Sequence, residues 1–290
     1  MINLDKIYLN SLLGMSCIEN YVLYILKDNN INYKLLFYDS YISPQDIILQ
    51  FLEYGSKYAS FYKIPRLHKM ATKKLIIKSA YQKIEDKGII NNQYDYICIR
   101  VEPQYMKNKY NVTLWRDDHY ILLTKNDDNN FYYFNDNPID SGILTIEEIN
   151  DISINKIFSF SILDNDVEKN KEIFLEEAYG KLILNNDNIY IKNTFNDIIL
   201  IRDIIGILRI SRKRLFQFYN EYFEVNYMKQ YIFYLDKLYS NIEYMRLRST
   251  FNISKVNDML NELMNKDYEL MNKIKHDLEV YLNGNKKKCN

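Results

Sequence analysis

The chain is short of several residue types that carry chemistry or build loops. Its 290 residues include three Cys, three His, seven Gly and four Pro, and the formal charges sum to zero. Cys17, Cys98 and Cys289, with His68, His119 and His276, cannot build a four-cysteine zinc site and leave few Cys/His couples. An odd number of widely spaced cysteines argues against a disulfide-stapled secreted scaffold and for a reducing compartment. Neither GxGxxG nor GxxxxGK(S/T) occurs, so folds that cradle phosphate in such loops have no local support. Scarce Gly and Pro disfavour a turn-dense all-β fold. No apolar run reaches the roughly 18–20 residues of a spanning helix. The most apolar stretch, 198–210, is cut by Arg202 and Asp203. Residues 12–17 look superficially like a lipoprotein cleavage site, but Asp5, Lys6 and Asn10 make the preceding stretch too polar for a signal peptide. A cytoplasmic protein that makes no membrane contact is expected.

What is present is ordinary globular material. Hydrophobic residues make up 47% and charged residues 26%, enough core for one large domain or two small ones. The 28 Tyr, with abundant Asn and Ile, fit A/T-rich codons and carry no functional message. The first half alternates helix and strand signals. Ser43-Pro44-Gln45-Asp46 predicts an N-cap and first turn. A helix is expected over about 68–86 and a strand over 94–101, with Tyr96, Cys98 and Arg100 on one face. A hairpin follows over 119–135, then a capping box at Thr145 and a strand over about 156–163. Beyond 165 the pattern is helical, with candidates near 167–183, 194–221, 226–248 and 254–282. The expected fold is α+β, with a core over 1–165 and a helical region over 166–290 packed on it.

Cys17 is the first candidate for chemistry. Ser16-Cys17-Ile18-Glu19 matches a capping box, which sets Cys17 at the first helical position. Backbone N–H groups and the helix dipole favour an anion there and lower a thiol pKa. The hairpin supplies a partner. Pairing Thr124 with Phe131 sets His119 opposite Asp136, and opposed residues share a sheet face about 5 Å apart. A carboxylate beside an imidazole is the base-and-orienter half of a triad. A slip of one residue would bring Asn137 there instead, and an amide can orient a histidine too. A metal site from Cys17, His119 and Asp136 matches no zinc spacing, and none is expected.

Gly14-Met15-Ser16-Cys17, His119-Tyr-Ile-Leu-Leu and Tyr133-Phe-Asn-Asp136-Asn-Pro138 resemble the papain-like core of bacteriocin-processing cysteine peptidases. The closer likeness is to the butirosin biosynthesis protein H N-terminal family and to the amide-forming enzyme of closthioamide biosynthesis. The resemblance covers about residues 1–165. It implies a papain-like core and a cysteine-dependent acyltransferase of antibiotic or nonribosomal peptide biosynthesis. Cys17 would be the nucleophile, His119 the acid/base and Asp136 the orienter. The acyl group would pass from a carrier-protein thioester, through a Cys17 acyl-enzyme, to a small amine. The protein itself would bind no cofactor, because phosphopantetheine arrives on the carrier. The peptidases place a Gln six residues before the Cys. Here Ser11 stands there beside Asn10, and either could donate to the oxyanion, as could the Cys17 N–H. Asn137 also intervenes between Asp136 and Pro138. Both departures count against peptide hydrolysis more than against acyl transfer. A peptidase or amidase on the same triad, and a non-catalytic binding protein, are the competing readings.

Charge adds a docking candidate. Residues 54–84 hold eight basic side chains and no acid, among them Lys63, Arg66, Lys69, Lys73 and Lys74. A basic face would steer an acidic carrier protein. Arg209, Arg212, Lys213 and Arg214 form a second cluster. Nucleic acid is a weaker partner for a neutral chain with no recognisable module. The oligomeric state is open, a homo-oligomer included. Cys98 is expected inside a strand and His68 and His276 on helix surfaces.

Overall fold

The structure is a computed structural model that describes residues 15–54, 64–82, 94–113, 119–163, 167–184, 197–250 and 252–286. Helix α1, Cys17–Asp28, opens at Ser16 through the expected capping box. A 3₁₀ segment, Tyr33–Asp39, leads to α2, Pro44–Tyr54, where the Ser43 hydroxyl accepts the Asp46 N–H at 3.0 Å. Helix α3, Leu67–Lys73, is short. Leu75 takes φ 56°, the left-handed region, and the chain continues as strand β1, Ile77–Gln82. The single helix expected over 68–86 therefore does not form. Its second half pairs with the last strand from Ile77 to Gln82, and that pairing outweighs helical propensity.

Strand β2 is Tyr96–Val101, α4 is Pro103–Tyr110, and the hairpin strands β3 and β4 are Tyr120–Lys125 and Asn130–Asp136. Strand β5, Ile139–Thr145, escapes sequence reading, because Asp140, Ser141 and Gly142 interrupt its apolar alternation. Helix α5, Ile146–Ile152, starts at the Thr145 capping box, and β6 is Ser153–Ile162. After a 3₁₀ turn at Val167–Asn170 come α6, Lys171–Leu184; α7, Ile198–Tyr219; α8, Asn226–Arg248; and α9, Ile253–Lys286.

The chain divides into two units. The first, Met1–Tyr33 with Arg66–Val167, is built, among the described residues, on six antiparallel strands in the order β1-β6-β2-β3-β4-β5. This mixture of helices with an antiparallel sheet is α+β. One sheet face carries Ile97, Ile99, Ile121, Leu123 and Phe131 against Met106 of α4 and Ile149 and Ile152 of α5. The other face carries Phe134, gripped edge-on by Tyr21 and stacked by Tyr24 of α1, both at 5.9 Å. Cys98 is fully buried in β2, as its strand setting implied.

The hairpin register differs from expectation by one residue. Lys125, not Thr124, lies opposite Phe131, and Leu122 lies opposite Phe134. The turn is the cause. The Asp127 carboxylate accepts the N–H groups of Asn129 and Asn130 at 2.9 Å, and the Asn130 carbonyl accepts those of Asn126 and Asp127. Asn130 is thereby drawn into β4, and turn geometry fixes the register.

The second unit is Lys34–Pro65 with Glu168–Asn290, helical throughout its described part. A division at 165/166 leaves 34–65 with the sheet, whereas the structure joins that segment to the helices. Leu35, Leu36, Phe37, Ile47 and Ile48 are buried. The Ser211 hydroxyl of α7 donates to the Ser40 carbonyl at 2.6 Å, and Arg212 donates to the Ile42 carbonyl at 3.0 Å. The second basic cluster is thus no open patch. Arg212 and Arg214 are buried, and Lys213 and Arg209 both pair with Asp236. Among the described residues no helix is long and apolar enough to cross a membrane.

Candidate active site

The start of α1 is held by one buried carboxylate. Glu19 accepts the Ser16 N–H and hydroxyl on one oxygen, each at 3.0 Å. Its other oxygen accepts the Leu67 N–H at 2.9 Å, which ties the first turns of α1 and α3 together. Cys17 is half-buried at the first helical position. Cys98 differs sharply, since burial, then the charges of Cys17 and Asp136, push its thiol well up. Cys17 instead heads α1, where backbone N–H groups point outward.

One turn on from Cys17, the Tyr21 hydroxyl is 2.7 Å from the Tyr120 carbonyl and 3.1 Å from an Asp136 oxygen. Asn20 donates to the other Asp136 oxygen at 2.7 Å. Burial first, then Asp136 and Cys17, push the Tyr21 hydroxyl well up, so it stays a neutral donor. These bonds hang the front of α1 on the residue after His119 and on the end of β4. Asp136 therefore does not orient His119, as the sequence register had it. The one-residue slip turns its carboxylate to the α1 face, where it anchors the helix. Asp136→Ala removes the Asn20 bond to the carboxylate, worth about 1.5–3 kcal/mol, and the carboxylate's share of the single Tyr21 proton. It is expected to destabilise the first unit by about 2–4 kcal/mol, read by urea unfolding, whereas Asp136→Asn costs less.

His119 finds a different partner. Its Nε2 lies 2.5 Å from Oδ1 of Asn135. Continuing the register by one pair sets Ile121 opposite Asn135, and His119, two residues earlier, shares their face. Both side chains are buried, Asn135 completely. The direction of the bond follows from Asn135's other end. Its Nδ2 faces the Pro138 carbonyl at 2.7 Å and the Tyr110 hydroxyl at 3.1 Å. A carbonyl only accepts, so that end is the NH₂, and the oxygen faces the ring. His119 must then carry its proton on Nε2, which leaves Nδ1 as the basic nitrogen of the neutral ring. Asn137, the reserve orienter, is exposed beside the cis Asn137–Pro138 bond and has no part in this pair. Asn135 was missed because the register put it on the wrong face. Tyr110 and Asp140 carried no sequence signal.

The remaining candidates divide. Asn10, Ser11 and Lys63 lie outside the described residues, as does Cys289. Arg66, Lys69, Lys73 and Lys74 surround α3, with Lys69 and Lys73 exposed. His276 is exposed on α9 as expected, but His68 is only 1% exposed, which corrects its placement on a helix surface. Its Nε2 meets the Tyr81 hydroxyl at 2.9 Å, and its ring packs on Phe158. Burial lowers His68 from 6.5 to about 4, opposed by Glu19 and reinforced by Arg66 and Lys69. The unfolded chain thus binds the proton first. Stability is full above about 6.5 and is lost as pH falls to about 4, by up to about 3 kcal/mol. Urea unfolding at pH 7 and pH 4.5 should show that loss in the wild type, and a shallower one in His68→Gln.

Among the described residues no group of three or more His, Cys, Asp or Glu is placed to hold a metal ion. Compared with protein-family models and with curated protein sequences, the chain gives no match.

Proposed function

We propose that the chain is a cysteine-dependent acyltransferase with a papain-like core, in which Cys17, His119 and Asn135 act as nucleophile, acid/base and orienter. The observation that carries this reading is the buried His119–Asn135 pair, whose amide orientation leaves Nδ1 as the base. The helix-start cysteine is linked to it through the chain: Tyr21, one turn after Cys17, donates to the carbonyl of Tyr120, the residue that follows His119. The order Cys, His, Asn along the chain is that of papain-like enzymes, in keeping with the resemblance to the butirosin biosynthesis protein H family.

The reaction runs in two halves. The Cys17 thiolate attacks the carbonyl of an acyl thioester on a carrier protein's phosphopantetheine. The tetrahedral oxyanion takes hydrogen bonds from the Cys17 N–H and, in this reading, from Asn10 or Ser11. It collapses to an acyl-enzyme, and the carrier thiol leaves with the proton held on His119. An amine then attacks the acyl-enzyme and gives its proton to Nδ1 of His119. The amide is released and the thiolate restored. Lys69 and Lys73 on α3 supply exposed positive charge toward an acidic carrier. Cys17 and Cys98 are in no disulfide, which suits a reducing, cytoplasmic setting.

Two measurements test the reading. Mild iodoacetamide and intact mass, in a Cys289→Ser background, should show one fast adduct that Cys17→Ala removes. Slow or absent labelling at Cys17 would end the enzyme reading. An acyl-carrier thioester should leave an acyl adduct on Cys17 that amines discharge as amides. Discharge by water alone would make the chain a thiol hydrolase instead.

A further inference from the structure

Behind Asn135 stands a second cluster. The Tyr110 hydroxyl donates to Asp140 at 2.8 Å, and the Tyr133 hydroxyl donates to the same carboxylate oxygen at 2.8 Å. Lys109 is 3.1 Å from that oxygen. The Tyr110 oxygen, with its proton committed to Asp140, presents a lone pair to Nδ2 of Asn135. We propose that Tyr110 and Asp140 are positioning residues that lock the Asn135 amide and, through it, the tautomer of His119. The inference rests on reading His119 as the base at Nδ1.

The physical case is one of proton direction. A terminal amide can rotate by half a turn with little change of shape, which exchanges Oδ1 and Nδ2. If Asn135 turned over, an N–H would face Nε2. The ring proton would move to Nδ1, and the base would be lost at the nitrogen that the proposed chemistry needs. The Pro138 carbonyl opposes that rotation, and the Tyr110 oxygen opposes it only while its own proton points elsewhere. Asp140 sees to this. Burial raises its carboxyl, but hydrogen bonds from Tyr133, Tyr110 and Lys109 outweigh it and hold Asp140 below the ordinary carboxylate value. Burial, then the bond to Asp140, pushes the Tyr110 hydroxyl far up. At neutral pH the cluster therefore has one protonation pattern, a carboxylate receiving the Tyr110 proton. Lys109 balances the charge and lies 4.1 Å over the Tyr133 ring.

The test reads the ring directly, without substrate. Long-range ¹H–¹⁵N spectra of the full chain carrying Cys17→Ala, where no thiolate holds the ring as an imidazolium, should show neutral His119 protonated on Nε2 at pH 8. Tyr110→Phe keeps the aromatic ring and removes the acceptor. It is expected to raise the Nδ1–H fraction about fivefold to tenfold, the size of one net hydrogen bond. The low-pH limb of Cys17 alkylation should move to higher pH in Tyr110→Phe with Cys17 intact, because the imidazolium loses part of its support. Asp140→Asn should shift both readouts in the same direction by less, and it serves where Tyr110→Phe does not fold. An unchanged tautomer ratio and alkylation profile in a folded variant overturns the positioning role. Failure of the enzyme reading looks different, since Cys17 then labels slowly in the wild type while the His119 tautomer still responds to Tyr110→Phe.

Discussion

Cys17→Ala is expected to abolish the acyl adduct and to lower amide formation by on the order of 10⁴ or more, with the fold unchanged. The substitution removes one sulfur from a half-buried helix start whose capping box depends on Ser16 and Glu19, not on the thiol. Stability should therefore move by less than about 1 kcal/mol, and thermal melts of the two proteins should nearly coincide. His119→Ala should fall about as far in rate, because nucleophile and base act as a unit. Asn135→Ala should lose less, about 10²-fold, since the ring remains but its tautomer is no longer held. A ranking in which Asp136→Ala slows the chemistry more than Asn135→Ala, at equal stability, would restore the carboxylate as orienter. Acyl transfer measured under saturating thioester reads all four variants on one scale.

Asp267→Ala should be the most destabilising change in the second unit. Arg212 is fully buried and bidentate to Asp267, at 2.8 and 2.5 Å, and its other donors reach the Ser211 hydroxyl and the Ile42 carbonyl. The Tyr41 ring lies 5.1 Å from the guanidinium carbon. Removing the carboxylate strands a fully buried charge, which costs about 3–5 kcal/mol. Removing both charges is another matter. The paired change Arg212→Met with Asp267→Leu replaces the ions by apolar volume and should recover most of that loss. Urea unfolding of wild type, single and double variants decides it. A double variant no better than Asp267→Ala would show that the bonds to Ser211 and Ile42, rather than the ion pair, hold this junction.

The elements read well from sequence where the signal is local. The capping boxes at Ser16 and Thr145, the cap at Ser43 and the four late helices all depend on residues within one or two turns of each other. The misreadings share a different origin. The helix expected over 68–86 is half strand because β6, some 80 residues away, pairs with it. His68 looks like a surface residue until α1 and the sheet cover it. The cluster at 209–214 looks like a docking face until Asp236 and Asp267 meet it. In each case the deciding partner is distant in the chain, and periodicity carries no record of it.

The same division runs through the site. Sequence alone determined that Cys17 begins a helix, that His119 begins a hairpin, and that the few Cys and His leave this couple as the main candidate. Those facts rest on local capping and on composition. Which acid or amide serves His119 was decided only by tertiary structure. The Asp127 turn draws one more residue into β4, and with a side-chain period of two that single step exchanges the roles of neighbours. Asp136 goes to the helix face and anchors α1 through Asn20 and Tyr21. Asn135 goes to His119, where Tyr110 and Asp140, brought in by α4 and β5, fix which way its amide points.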